Sequence, residues 1–264
     1  MGEKSVYDLI EESAKVLKLD FKAADMARLA SDKCFSEANL DAILSTFNCL
    51  AEKKKADVLE MLLKTSRLPM KSPKTFENYD FNRIKGKDVE SLRAISSMAE
   101  VRDSINIAFI GPPGVGKTHL AEAYGWRCCM DGYKTYMLKA SELRDKFVEA
   151  RRFGRESKVV NALVKPTCLI IDEIGRSKFD KEATALFFDM VDRRYQKSPP
   201  CCMIFTSNKQ PYEWAEFFSS DDDLKAALDR IFDKAKIFNI KGESYRGRKR
   251  EIVSLEAGPG PVCD

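Results

Sequence analysis

The stretch Gly111-Pro112-Pro113-Gly114-Val115-Gly116-Lys117-Thr118 constrains this chain more than any other. It fits in full the phosphate-loop pattern of glycine, four residues, glycine, lysine and a hydroxyl. The apolar run Asn106-Ile107-Ala108-Phe109-Ile110 before it has strand length, and His119-Leu120-Ala121-Glu122-Ala123-Tyr124-Gly125-Trp126 after it reads as a helix. Strand, glycine loop and helix together make the motif more than a chance glycine turn. Glycines let backbone N–H groups converge on phosphates, and a helix N-terminus adds partial positive charge. Lys117 then supplies a cation to the β/γ-phosphates and Thr118 a hydroxyl to Mg²⁺. The expected nucleotide contacts are Gly111 to Thr118, with His119 next along the helix.

A second run, Thr167-Cys168-Leu169-Ile170-Ile171-Asp172-Glu173, is apolar until its last two residues. Such a run fits a strand buried on both faces of a parallel sheet. Ligands of such sheets bind at the carboxyl ends of the strands, where Asp172 and Glu173 emerge. Asp172 is placed to hold Mg²⁺ and Glu173 to polarise an attacking water; the bland reading is a strand ending in solvated acids. A third run, Cys201-Cys202-Met203-Ile204-Phe205-Thr206-Ser207-Asn208, ends in polar residues that alone would signal a turn. Beside the other two motifs, Asn208 is a candidate for the γ-phosphate or the attacking water.

The 264 residues allow one sizeable domain and a small one. No run approaches the length of a membrane span and no secretory segment begins the chain, so the expectation is a cytoplasmic protein with no membrane partner. None of the eight cysteines forms a C-x-x-C pair, and His119 is the only histidine. The cysteines read as reduced, mostly buried apolar residues rather than zinc ligands. The net charge is +4, unevenly spread: residues 1–70 carry 11 Lys/Arg against 12 Asp/Glu, the rest 34 against 29. Basic clusters at 151–155 and 246–250 suit an anionic polymer, or equally an ordinary solvated surface.

Residues 1–68 show helical spacing throughout and are expected to form a helical N-terminal domain that binds DNA or a partner. Glu52-Lys53-Lys54-Lys55 reads as a solvated helix face. Pro69 and Pro73 mark 69–82 as a linker. Within 83–254, strands at 106–110, 134–140, 167–172, 202–207 and 235–241 alternate with helices near 88–102, 118–131, 141–150, 180–196 and 222–231. Alternation predicts an α/β fold with a five-stranded, mainly parallel sheet. The tail, 255–264, reads as disordered.

These motifs resemble the IstB/DnaC branch of the AAA+ ATPases. The resemblance is carried by KTFENYDF at 74–81, GPPGVGKTHLA at 111–121, LIIDEIG at 169–175, FTSN at 205–208, LDRI at 228–231 and IKGESYR at 240–246. It covers most of 35–250 and is nearest to the IstB helpers of insertion-sequence transposition. It implies an AAA+ P-loop core, ATP and Mg²⁺ as cofactors, and partners comprising duplex DNA, a transposase and further copies of the chain. By the same resemblance Arg230 is an arginine finger reaching a neighbour's ATP, the alternative being a salt bridge with Asp229 or Asp233. Arg246 is a second phosphate-sensing arginine, or a phosphate or DNA contact. The insertion 141–164 sets Arg151, Arg152, Arg155 and Lys158 against DNA phosphates.

Three functions follow as expectations. The first is an ATPase that oligomerises on DNA and assists a transposase. The second is a DnaC-like helicase loader. The third is a small-molecule kinase, disfavoured because a carboxylate at Glu173 suits water activation and no arginine-rich lid is evident.

Overall fold

The computed structural model describes residues 4–84, 86, 88–219 and 222–242. Arg246, the basic run 246–250, Cys263 and the tail 255–264 lie outside them.

The chain starts with three helices, α1 (Val6–Leu17), α2 (Ala23–Asp32) and α3 (Glu37–Ser66). Two serines set their starts. The Ser5 hydroxyl accepts from Asp8 N (3.2 Å) while Asp8 accepts from Ser5 N (3.1 Å), and Ser36 and Asn39 make the same reciprocal cap on α3. Ile10, Met26 and Ala30 close a small core, with Phe21 stacked on Phe47 at 6.2 Å.

α3 continues for 30 residues. Residues 52–57 are exposed all around, so the lysine run is a solvated span rather than one face. Beyond it, Leu62, Leu63 and Leu68 are buried with Ile107, Phe109, Leu120 and Tyr124 of the body. Packing therefore changes inside α3 and not at Pro69. The prolines do end the helix, but a break in secondary structure is not a break in packing. The 69–82 segment is no free linker: Tyr79 is buried, and Phe76 meets Tyr124 edge-on at 6.4 Å.

Next come α4 (Val89–Ala94) and α5 (Ala99–Arg102), where one helix over 88–102 was expected. Met98, with φ 62°, divides them. The strands are β1 (Asn106–Ile110), β2 (Thr135–Lys139), β3 (Cys168–Ile174), β4 (Cys202–Ser207) and β5 (Ala235–Asn239). Between them lie α6 (Lys117–Met130), α7 (Ala140–Arg152), α8 (Glu156–Val164), α9 (Lys181–Tyr195) and α10 (Asp222–Asp233). The expected helix at 141–150 is longer and is followed by a second, α8, because the chain turns at Gly154 with φ 59°. The sheet order is β2-β3-β4-β1-β5 and every pair is parallel, with Ile204 opposite both Ile107 and Ile170.

One sheet face packs on α7, α8 and α9 through Phe147, Val160, Phe187 and Met190, with Trp214 and Ile231 filling the end. The other face packs on α6 and the last turns of α3. β1, β3 and β4 are thus covered on both sides, which explains their unbroken apolar runs. Arg194 staples the amino ends of β3 and β4: its guanidinium donates to Leu163, Val164, Pro166, Thr167 and Cys202 carbonyls at 2.7–3.2 Å. Cys128, Cys129, Cys168, Cys201 and Cys202 are buried, and Cys34 and Cys49 are exposed. No helix among the described residues is long and apolar enough to cross a membrane.

Candidate nucleotide site

The carboxyl ends of β1, β3 and β4 meet at the loop joining β1 to α6. Two of its glycines are sterically required. A Cβ at Gly111 would lie 2.1 Å from the Ile240 carbonyl oxygen, and one at Gly116 2.7 Å from the Tyr79 ring. Both also have positive φ, 155° and 94°. Lys117 opens α6 and is buried; its Nζ donates to Gly111 O and Pro112 O, both at 2.8 Å, and to Asn208 Oδ1 at 2.7 Å. The first and third motifs thus converge on one ammonium group.

Thr118 Oγ1 donates to Asp172 Oδ1 at 2.9 Å, which joins the first motif to the second. Asp172 is itself 3% exposed and also accepts from the Thr206 hydroxyl. Thr206 additionally accepts from Glu173 N at 3.0 Å, so one β4 hydroxyl positions both acids. The sequence pointed to Asn208 at this strand end and passed over Thr206, two residues earlier on the same buried strand. A hydroxyl and a carboxylate on adjoining elements offer the hard oxygen donors that Mg²⁺ prefers.

Glu173 has φ 61°, an uncommon value for a residue with a Cβ. The turn carries its side chain out of the sheet to Lys139 Nζ (3.3 Å), at the end of β2, and Arg176 Nη1 (2.8 Å). Neither cation is singled out by sequence, since both look like surface charges. Glu122, on α6, is a further group the motifs did not point to. Burial, and then the charge of Asp172, pushes its carboxyl up to about 7.

The segment 75–81 lies over the loop. Tyr79 meets His119 at 5.1 Å and Phe81 at 4.8 Å, both edge-on, and its hydroxyl lies 3.4 Å from Val115 O. His119 Nε2 sits 2.9 Å from Thr75 O. Burial lowers the pKa of this imidazole, which therefore stays neutral at pH 7 and donates from Nε2. An open groove of about 570 Å³ runs along Phe76, Tyr79, Phe81 and Arg93.

Arg230 stands elsewhere. On α10 it pairs through Nε with Asp192 Oδ1 of α9 (3.1 Å) and lies 5.3 Å over the Phe188 ring. Asp192, rather than the sequence neighbours Asp229 or Asp233, is its partner, because α10 lies against α9. It borders the amino ends of β1 and β4 with Asn106 and Met203, the opposite end of the sheet from the phosphate loop. Arg230 therefore cannot serve the nucleotide of its own chain.

The four insertion bases divide. Arg151 is tied to Asp180 (2.9 Å), which caps α9, and to Glu182 (3.4 Å) in its first turn. Arg152, Arg155 and Lys158 are exposed. Arg152 and Arg155 flank Phe153 at 5.8 and 5.6 Å, and Phe153 is itself 55% exposed.

Residues 13–252 match the family described as IstB-like ATP binding protein. An ATP-binding protein of insertion sequence IS5376 from Geobacillus stearothermophilus is 38% identical over 76% of this chain and 78% of its own length. The corresponding protein of insertion sequence IS21 from Pseudomonas aeruginosa is 36% identical over 78% and 76%. Among solved structures, DnaI has a TM-score of 0.55 at 18% identity, covering 69% of this chain and 96% of that one. The DnaC helicase loader has 0.52 at 18%, covering 64% and 97%. The fold is that of the AAA+ domains.

Proposed function

The chain belongs to the family of IstB-like ATP-binding proteins, and on that premise we propose that it is a Mg²⁺-dependent ATPase that assembles on duplex DNA and assists a transposase. One observation carries the chemistry: Lys117 bonded to Asn208, and Thr118 bonded to Asp172, which Thr206 links to the Glu173 backbone, form two adjoining sets at the carboxyl ends of β1, β3 and β4. Lys117 exchanges its carbonyl partners for β/γ-phosphate oxygens, and Asn208 beside it contacts the γ-phosphate or the attacking water. Thr118 and Asp172 would hold Mg²⁺, which would offset charge on the phosphates. Glu173 receives the proton of the water, with Lys139 and Arg176 fixing its orientation. The groove along Tyr79 and Phe81 receives the base of the nucleotide.

Arg230, facing away from its own loop, acts on the ATP of a neighbouring copy. Arg152, Arg155 and Lys158 contact DNA phosphates with little base reading, and Arg151 contributes less because its charge is already paired. The helicase-loader reading rests on fold likeness alone.

The decisive experiment mixes two inactive variants on duplex DNA, Lys117→Ala and Arg230→Ala. Recovery of hydrolysis in the mixture is expected, because a composite site pairs an intact loop with an intact arginine. Co-assembly without recovery refutes the trans role. Capture of a replicative helicase ring instead of a transposase replaces the partner assignment.

A further inference from the structure

α3 ends on Arg67, which takes the left-handed backbone conformation, φ 63° and ψ 15°. Glycine is the usual residue at such a helix end, because a Cβ is strained at positive φ. This chain keeps an arginine there, and strain observed at a particular residue points to what its side chain does. The guanidinium lies 5.9 Å from the Tyr136 ring of β2 and donates to Glu142 Oε1 of α7 at 3.0 Å.

Glu142 divides its two oxygens. Oε1 takes Arg67, and Oε2 accepts from the Lys139 backbone N–H at 3.1 Å. Lys139 is at once the last residue of β2 and the N-cap of α7, and it stands opposite Asp172 in the β2–β3 ladder. A carboxylate reaching back to the cap N–H fixes the start of a helix, and here it fixes the backbone from which the Lys139 side chain leaves. Lys139 Nζ meets Glu173 Oε2 at 3.3 Å, while Arg176 Nη1 donates to Glu173 Oε1 at 2.8 Å. The Glu173 carboxylate is thus suspended between two cations, one on each oxygen. Arg176 is a neighbour on the same turn and its side chain is 73% exposed; Lys139 comes from another strand and is backed by Glu142 and Arg67. A series of alternating charge therefore runs from the end of α3 to the candidate base, with no step longer than 3.3 Å. Residues with positive φ stand at both of its ends, Arg67 and Glu173.

We propose that Arg67 and Glu142 are positioning residues for Glu173, acting through Lys139; this rests on Glu173 being the base of ATP hydrolysis. With the series intact, the two cations hold the carboxylate in one orientation. With Arg67 or the Glu142 charge removed, the start of α7 loosens, Lys139 withdraws and Glu173 turns toward Arg176. The four side chains are 32–53% exposed, so water and salt screen each pair and the effect on rate is modest.

The test measures ATP hydrolysis by the full chain, saturated with duplex DNA, beside its denaturant midpoint. Arg67→Gly removes the side chain yet suits the left-handed helix end, so it cuts the series without straining the fold. Glu142→Gln keeps an acceptor for Lys139 N and loses only the charge that faces Arg67. Each should lower kcat about two- to fivefold, with KM for ATP and the midpoint unchanged. The double variant should be no slower than either single one, both effects should vanish in the Lys139→Ala chain, and Arg67→Lys should recover part of the rate. A shifted midpoint with kcat unchanged makes Arg67 a clamp for α3 alone, and an undiminished loss in the Lys139→Ala chain routes the effect elsewhere; either result overturns the proposal. Glu173→Gln separates the two failures. Hydrolysis at the parent rate in that variant removes the base itself, whereas slow hydrolysis there with parent rates in Arg67→Gly and Glu142→Gln removes only the series behind it.

Discussion

The helices at the start of the chain and the sheet-bearing body are stabilised by different means. The head closes on Ile10, Met26 and Ala30, with partly buried aromatic rings around them and serine caps at its helix starts. The body buries both faces of a five-stranded sheet and then adds polar staples inside it. Arg194 holds five carbonyls. Asn106 donates to Ile231 O (2.9 Å) and accepts from Met203 N (2.8 Å), and buried Glu100 pairs with Lys236 at 2.8 Å. Only such a surrounding over-determines unfavourable local states, such as a buried lysine at 117 and a left-handed glutamate at 173. The strained residues of the candidate site therefore sit in the body.

The largest expected effect separates chemistry from stability altogether. Glu173→Gln should slow ATP hydrolysis by roughly 10²–10⁴-fold, while denaturant melting of either region moves by no more than about 1 kcal/mol. Phosphate release at the parent rate would remove Glu173 as the base. Arg194→Ala should destabilise the body by about 3–5 kcal/mol, since it strands buried carbonyls. Hydrogen exchange should rise across β3 and β4 and stay unchanged in α1 and α2.

Ile10→Ala makes the converse cut. It should cost the head about 2–4 kcal/mol, with faster exchange over residues 5–35 and no change in hydrolysis. Equal loss of protection in the body would show one cooperative unit and end the comparison.

The smallest effect is electrostatic. The Glu122 carboxyl is raised from the usual 4.5 to about 7, so the folded chain holds a proton there that the unfolded chain releases. Its stabilising contribution is complete below 4.5 and is lost as pH rises through 7. Because the group is partly solvated, Glu122→Gln should stabilise the body at pH 8 by only about 1–2 kcal/mol. It should also flatten the pH dependence between 4.5 and 7; a slope unchanged by the substitution would place the titration elsewhere.

The sequence made the phosphate loop, the acids of β3 and Asn208 legible because their spacing is dictated by the ligand and by the strand ends. All five strands lie within two residues of where they were expected, but only β1, β3 and β4 are the buried apolar runs that make such strands plain; β5 is largely exposed. What stayed hidden depends on distance in space. Thr206 looks like any strand hydroxyl until β4 lies beside β3, and Lys139 and Arg176 look like solvent charges until Glu173 turns toward them. The break at Met98 carries no sequence signal, since methionine does not favour a left-handed backbone. The partner of Arg230 was sought among sequence neighbours, whereas packing supplied Asp192 from another helix. Arg151 was grouped with free bases, and only the approach of α9 shows it paired.

The unbroken course of α3 makes it a lever. Its 30 residues give a rod of about 45 Å, at 1.5 Å per residue. One end is clamped in the body by Leu62 and Leu63, with Arg67, just past it, bonded to Glu142 of α7 at 3.0 Å. The shaft crosses water as Glu-Lys-Lys-Lys-Ala-Asp at 52–57, mostly strong helix formers that need no packing to stay wound. A tilt of about 10° at the clamp sweeps the far end through roughly 6 Å over the arm from Leu62 to Glu37. Rearrangements too small to disturb the sheet would thus reach the head as motion of molecular size, with the solvated shaft as gearing.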